Sequence, residues 1–287
     1  MSERRAAGFT LIELIIAIVL AGIVLGAIYQ TLQNNQRFYR SESQVLDVQQ
    51  GVRAVAQLLP SELREVDAVA GDILAMGPDS ITIRALRNTF FICAPPNVGA
   101  GTIITRNGQV FGYRSVDPTR DRALVFREGK TQVMNDDEWL DFAISSVTTG
   151  AACTDGTGAG TTMTLAGGPT PRLDSVTVGS PIRTYERVTY RLYVDSAGVG
   201  WLGVSDYVNG SWAAVAAVAG PLNSAGGIEL SYYDSTGTVT ATATSVAQIG
   251  LVVRGLSAAP IQIPGRRANL QKYQDSMTVR VALRNNS

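Results

Sequence analysis

FTLIELIIAIVLAGIVLGAIY, running from Phe9 to Tyr29, is an apolar run of about 21 residues interrupted only by Thr10 and Glu13. As a helix it would rise about 30 Å at ~1.5 Å per residue, the thickness of one bilayer core. Arg4 and Arg5 lie just before it, and the next basic residue is Arg37. Positive charge is retained on the cytoplasmic side of a membrane helix, so residues 1–8 are expected in the cytoplasm and the chain beyond Tyr29 outside. Glu13 is the anomaly. A carboxylate inside an apolar helix costs on the order of 2.5–3.5 kcal/mol near the bilayer centre and less near its edge, so it usually marks function.

A secretory signal peptide is cut after its apolar stretch, which removes the helix. Here the small residue that would suit a peptidase, Gly8, comes before it. The stretch Gly8-Phe9-Thr10-Leu11-Ile12-Glu13-Leu14 resembles the class III signal of type IV prepilins and type II secretion pseudopilins. The resemblance implies that a prepilin peptidase cuts between Gly8 and Phe9, that Phe9 is then N-methylated, and that Glu13 serves assembly. The physical reason is charge pairing: the new Phe9 ammonium and a neighbouring subunit's Glu13 are each costly alone in a low-dielectric bundle. Gly22 and Gly26 form a GxxxG that would let helix backbones approach closely. Many relatives carry a helix-kinking proline in this region, whereas the first proline here is Pro60.

Beyond the apolar run, Val45, Val48, Val52, Val55, Leu59, Leu63 and Val66 recur at spacings of three and four. They mark an amphipathic helix over 30–70, with a kink expected near Pro60 and an end at Gly71. From Ser80 the period becomes two. Ile81 and Ile83, Val188 to Val194, and Met277 to Leu283 alternate with polar residues, as strands with one buried face do. Turns are expected at Asn107-Gly108, between Ile103–Thr105 and Gln109–Phe111, at Asp195–Gly200, and at Asp234–Gly237. Short connections favour antiparallel pairing. Gly150–Pro171 and Gly255–Arg267 read as loops. The expected fold is α+β: a long N-terminal helix, transmembrane over 9–29 and then amphipathic, packed on a mainly antiparallel β domain spanning 71–287.

Four later segments, 186–194, 227–234, 249–254 and 279–285, are similar in pattern to larger minor pilins of the W class and to J-class pseudopilins. That resemblance implies a structural subunit that primes or caps a type IV pilus-like filament, with a J-class pseudopilin of a type II secretion system as the alternative. A tip adhesin or DNA-binding module on the filament is a further alternative. Implied partners are prepilin peptidase, other pilin or pseudopilin subunits, the inner-membrane assembly machinery, and membrane lipid before assembly. The implied location is the inner membrane, spanned once, and then a periplasmic or cell-surface filament.

Composition narrows the chemistry. The chain has no histidine, which removes the usual neutral-pH base and the commonest zinc ligand. No phosphate-binding glycine loop precedes either lysine, Lys130 or Lys272. An enzyme is not expected, nor a cofactor. With 24 basic against 24 acidic residues, no overall field draws the chain to a polyanion. The window holding Arg84, Arg87, Arg106, Arg114, Arg120, Arg122, Arg127 and Lys130 is locally basic, but solvated strand faces account for it and DNA binding is not expected. Asn135 to Glu138 with Asp141 offers oxygen ligands without the alternation or glycine of a calcium loop. Cys93 and Cys153, both on the oxidising side, are expected to pair, closing a loop of about 60 residues worth roughly 4 kcal/mol in the chain-entropy model. Two separate buried thiols are the alternative.

Overall fold

The computed structural model describes residues 10–107, 111–112, 114–129, 136–156, 158–168, 170–261 and 270–283. Its first element is helix α1, Leu11–Leu63. The expected stripe is its packing face: Val48, Val52, Val55, Leu59 and Leu63 are fully or almost fully buried. Two expectations about this helix are corrected. It runs through Pro60 to Leu63 as one continuous helix, with no restart at the proline. It stops at Leu63 rather than near residue 70; turns follow, and Gly71, at φ +82°, leads into the sheet.

The strands are β1 (Ile73–Met76), β2 (Ser80–Asn97), β3 (Thr102–Arg106), β4 (Phe111–Gly112), β5 (Arg122–Arg127), β6 (Glu138–Ala152) and β7 (Ala159–Ala166). They continue as β8 (Pro181–Val194), β9 (Gly200–Val208), β10 (Ser211–Trp212), β11 (Ala216–Leu222), β12 (Ile228–Tyr233), β13 (Gln248–Leu256) and β14 (Gln274–Ala282). Every pairing between them is antiparallel. β2 and β8 are the backbone of the domain and pair with each other from Ser80↔Arg191 to Phe91↔Pro181. Their far ends lead into a closed ring, β2-β3-β7-β6-β5-β8, because β8 pairs with β5 on one edge and β2 on the other. Their near ends continue through β9 and β11 to β13, which is flanked by β12 and β14.

Two cores result. One lies between α1 and the open part of the sheet and includes Val52, Leu59, Ile83, Val188, Leu202 and Leu251. The other fills the ring with Ile92, Ile103, Val125, Phe142, Met163 and Ile182, and is closed by Leu173 and Val176 from the short 3-10 segment Thr170–Ser175 and its exit.

Two of the expected connections are corrected. Gly150–Pro171 is not one loop: β6 runs to Ala152 and β7 occupies Ala159–Ala166. Threonines suit strands, and Met163 and Leu165 point into the core while Thr162 and Thr164 point out, a period of two hidden among glycines. The expected pairing of Ile103–Thr105 with the segment ending at Phe111 is corrected. Both edges of β3 are taken, by β2 and β7, and β4 pairs with β2 instead. Gly108 to Val110 lie outside the described residues. The Asp195–Gly200 turn joins β8 to β9, and the Asp234–Gly237 turn follows β12. After β13, Ile261 bridges Gln271, and 262–269 are outside the described residues. The alternating patterns lose their buried face at two ends, since Val194 and Met277 are exposed.

Candidate functional site

The N-terminal part of α1 touches nothing else in the chain. Every residue from Leu11 to Leu32 is exposed, although this stretch holds most of the apolar side chains of the helix. An 18-residue window there has mean hydropathy 2.9 with none of it buried. Exposed leucine and isoleucine on that scale need a nonaqueous partner. The helix is therefore compatible with a single-pass membrane anchor.

Its first turn is built around the one carboxylate. Thr10 caps the helix, its Oγ1 accepting the Glu13 amide at 3.4 Å, and the Thr10 amide and hydroxyl donate back to Glu13 Oε2 at 3.5 and 3.4 Å. This reciprocal capping box is the T-x-x-E pattern at a helix start, a signal present in Thr10-Leu-Ile-Glu13 that the membrane reading of the stretch passed over. Glu13 thus has a local structural duty. Gly22 and Gly26 lie one turn apart, and a Cβ at either would meet nothing within 4 Å. Gly8 and Phe9 are outside the described residues.

The other half of α1 is clamped to the β domain. An ideal Cβ on Gly51 would collide with the Gly220 carbonyl, and one on Gly255 would sit 2.6 Å from Val48 and Val52 methyls. Helix and sheet backbones can approach this closely because neither side carries a Cβ there. Gln49 Nε2 donates to the Tyr273 hydroxyl at 3.2 Å, and Gln44 Oε1 accepts the Ala259 amide at 3.1 Å.

At the end of α1 a chain of ion pairs crosses into the ring. Arg87 on β2 donates to Glu62 on α1 at 3.0 Å and to Glu186 on β8. Arg114 donates to Glu186 at 2.9 Å and grips Asp121 with both terminal nitrogens at 2.8 and 2.7 Å. Asp121 also accepts the Asp117 amide, and its side chain is fully buried. Burial works against the Arg87 charge, but the Glu62 and Glu186 carboxylates outweigh it and hold the guanidinium above its ordinary range. Buried charges persist only when paired and hydrogen-bonded, a condition this network meets. Sequence reading could not find it, because its members are scattered over 125 positions, from Glu62 to Glu186.

The same pairing corrects the view of the arginine window as solvated faces. Arg106 pairs with Asp155 at 2.8 Å, Arg120 with Asp117 at 3.1 Å, Arg122 with Asp141 at 2.9 Å and Arg127 with Glu138 at 2.9 Å. These side chains are half-buried and engaged, while Lys130 lies outside the described residues. The acidic group near 136–141 is engaged too: Glu138 meets Arg127 and Arg172, and Asp141 accepts from Arg122 and from the Tyr185 hydroxyl at 2.8 Å. Burial first, and then the Asp141 carboxylate, push the Tyr185 hydroxyl up to about 12. Asn135 is outside the described residues. Cys93 on β2 and Cys153 after β6 form a disulfide, and no free cysteine accompanies them. Gly160 makes room for it: a Cβ there would lie 2.6 Å from the Thr105 carbonyl oxygen and 2.9 Å from Cys153 Sγ.

No curated protein and no solved structure matches the chain. A family model described as the prokaryotic N-terminal methylation motif matches residues 4–29, which contain Gly8, Phe9, the capped first turn and the exposed apolar helix. That match, on a long helix packed against an antiparallel β domain, supports a protein of pilin or pseudopilin type.

Proposed function

We propose that this chain is a minor pilin, a structural subunit that is inserted in the inner membrane, processed by prepilin peptidase and then built into a type IV pilus-like filament that it primes or caps. The observation that carries the reading is the exposed apolar half of α1, joined to the methylation motif at 4–29. A lipid bilayer covers such a surface before assembly, and the same halves of neighbouring subunits cover it afterwards. On this reading residues 1–8 are the leader, 9–29 the membrane-spanning part, and the domain from residue 71 onward lies outside the cytoplasmic membrane. Gly22 and Gly26 are a close-packing site between helices. The chemistry is assembly rather than catalysis.

Mass spectrometry of the mature protein from membranes tests it. The expected product begins at a methylated Phe9 and retains the apolar helix. A mature form lacking the whole Phe9–Tyr29 segment would sink the reading, because nothing would remain to anchor or assemble.

A further inference from the structure

Past the apolar run α1 continues as one unbroken helix, and Asn34 to Arg40 are exposed on every side. Arg37, Arg40, Glu42, Asp47 and Arg53 stand on this part of the helix and its continuation, all of them exposed. Among the described residues none of the five makes an ion pair. They do not pair with one another along the helix either, because no two of opposite sign are three or four residues apart, the spacing at which helical side chains meet.

Their placement is ordered all the same. At about 100° per residue, Arg40 and Asp47 fall within about 20° of each other on one flank of the helix, with Arg37 about 60° from Arg40. Glu42 and Arg53 fall within about 20° of each other on the other flank, about 160° and 140° from Arg40. Val48 and Val52, which face the sheet, lie between the two flanks. Leu32, Tyr39 and Leu46, seven residues apart, run along the side turned away from the sheet and are 54%, 70% and 53% exposed.

Read from Arg37 toward Arg53, the first flank carries two positive charges and then a negative one, and the second a negative and then a positive. The intervals agree: Arg37 and Asp47 are ten residues apart, Glu42 and Arg53 eleven. Two such helices can lie parallel, the first flank of one against the second flank of the other. Sliding the first toward its own C-terminal end by five to six residues, about 7.5–9 Å, brings Arg37 level with Glu42 and Asp47 level with Arg53. Arg40 then stands about one turn beyond the same Glu42. With no displacement neither match is made, and an antiparallel pair would point the two apolar halves in opposite directions, so that they could not share one bilayer.

We propose that this water-facing part of α1 is a seam for a second copy of the chain, laid parallel and displaced by about 7.5–9 Å, in which Arg37 and Arg40 of one copy meet Glu42 of the other and Asp47 meets Arg53. The seam rests on the filament reading and deepens it by naming the partner and the stagger. The charges set the register while Leu32, Tyr39 and Leu46 supply contact area, since exposed ion pairs add little affinity but fix orientation. Each copy offers different flanks to its two neighbours, so the contact repeats without closing, as a filament requires.

The test is thiol cross-linking of the full chain in membranes of the organism that makes it. Both native cysteines are held in the disulfide, so introduced thiols are the reactive ones. Tyr29 lies on the first flank and Asn35, six residues on, lies on the second. A chain carrying Tyr29→Cys and Asn35→Cys together should give linked dimers and longer ladders with a short bis-maleimide, and either substitution alone should give neither. Reversing the second flank with Glu42→Arg and Arg53→Glu should lower the yield several-fold, and so should reversing the first with Arg37→Glu, Arg40→Glu and Asp47→Arg. All five reversals together should restore it, a rescue that a merely structural effect would not produce. The seam is overturned if either set leaves the yield unchanged, if the five together fail to restore it, or if the double-cysteine chain links only to a different protein. Processing is read on the same membranes. A chain cut before Phe9 that does not cross-link overturns the seam and leaves the filament reading standing, whereas an uncut chain that does cross-link overturns that reading and leaves the seam.

Discussion

Glu13 has two claims on it, and they make different demands. The capping box needs an acceptor three residues after Thr10, which glutamine supplies as well as glutamate. Pairing with a neighbour's terminal ammonium needs the negative charge. Glu13→Gln therefore separates what Glu13→Ala confounds. Both variants should still enter the membrane and be cleaved, since an apolar helix gains from losing a carboxylate. Alanine also frays the first turn, at a cost of about 0.5–2 kcal/mol on the scale of lost caps. If charge carries assembly, glutamine should lower co-purification with sheared filaments nearly as far as alanine does, because an unpaired buried ammonium costs roughly 3–5 kcal/mol. Wild-type incorporation of Glu13→Gln, set against reduced incorporation of Glu13→Ala, would show that the residue acts as a cap alone.

The strand connections use carboxylates in a different way. In the turn from β8 to β9, Asp195 Oδ1 accepts the Val199 and Ala197 amides at 2.9 Å, and Oδ2 accepts the Trp201 indole N–H at 2.9 Å. After β12, Asp234 Oδ1 accepts from the Thr236 hydroxyl at 2.7 Å and from the Thr238 and Thr236 amides at 2.9 Å. The Val199 amide chiefly, and then the Trp201 indole, hold Asp195 below the usual carboxylate range; the Thr236 hydroxyl and Thr238 amide do the same for Asp234. A folded pKa below the unfolded one gives stability that is present above the unfolded value, near 3.9, and lost as pH falls through the folded value. Asp206 and Asp72, raised by burial, act in the opposite sense and are common to wild type and variant. Asp195→Asn with Asp234→Asn should therefore melt lower than wild type at pH 6, with the gap narrowing at the acid end. Thermal melts of the detergent-solubilised chain at several pH values measure it; a gap independent of pH would refute the assignment.

At the scale of the whole molecule, β2 and β8 carry two cores, one under α1 and one inside the strand ring, and the disulfide ties two strands of that ring, β2 and the end of β6. Replacing Cys93 and Cys153 by serine releases a 60-residue closure and should cost about 2–4 kcal/mol. Faster amide exchange should appear first in β3, β6 and β7, with the α1-backed strands following only at global unfolding; uniform acceleration would mean that the two cores melt as one. Sequence reading reached the long helix, its stripe of Val48 to Leu63, the change to period two and the methylation signal, because each is written in neighbouring residues through local spacing. It lost β7 among glycines and threonines, and it assigned β3 a hairpin partner that packing excludes, because strand pairing is decided by which edges remain open after folding. The arginines make the same point. Their number is plain in the chain, but not that Arg87 and Arg114 converge on the buried Glu186 while, among the described residues, Arg183, Arg187 and Arg191 have no carboxylate partner. The sequence by itself determined an apolar helix that must leave water, since hydropathy and spacing are local properties. Only the tertiary structure decided the closed ring and which charges meet, since those depend on segments far apart in the chain being brought to one face.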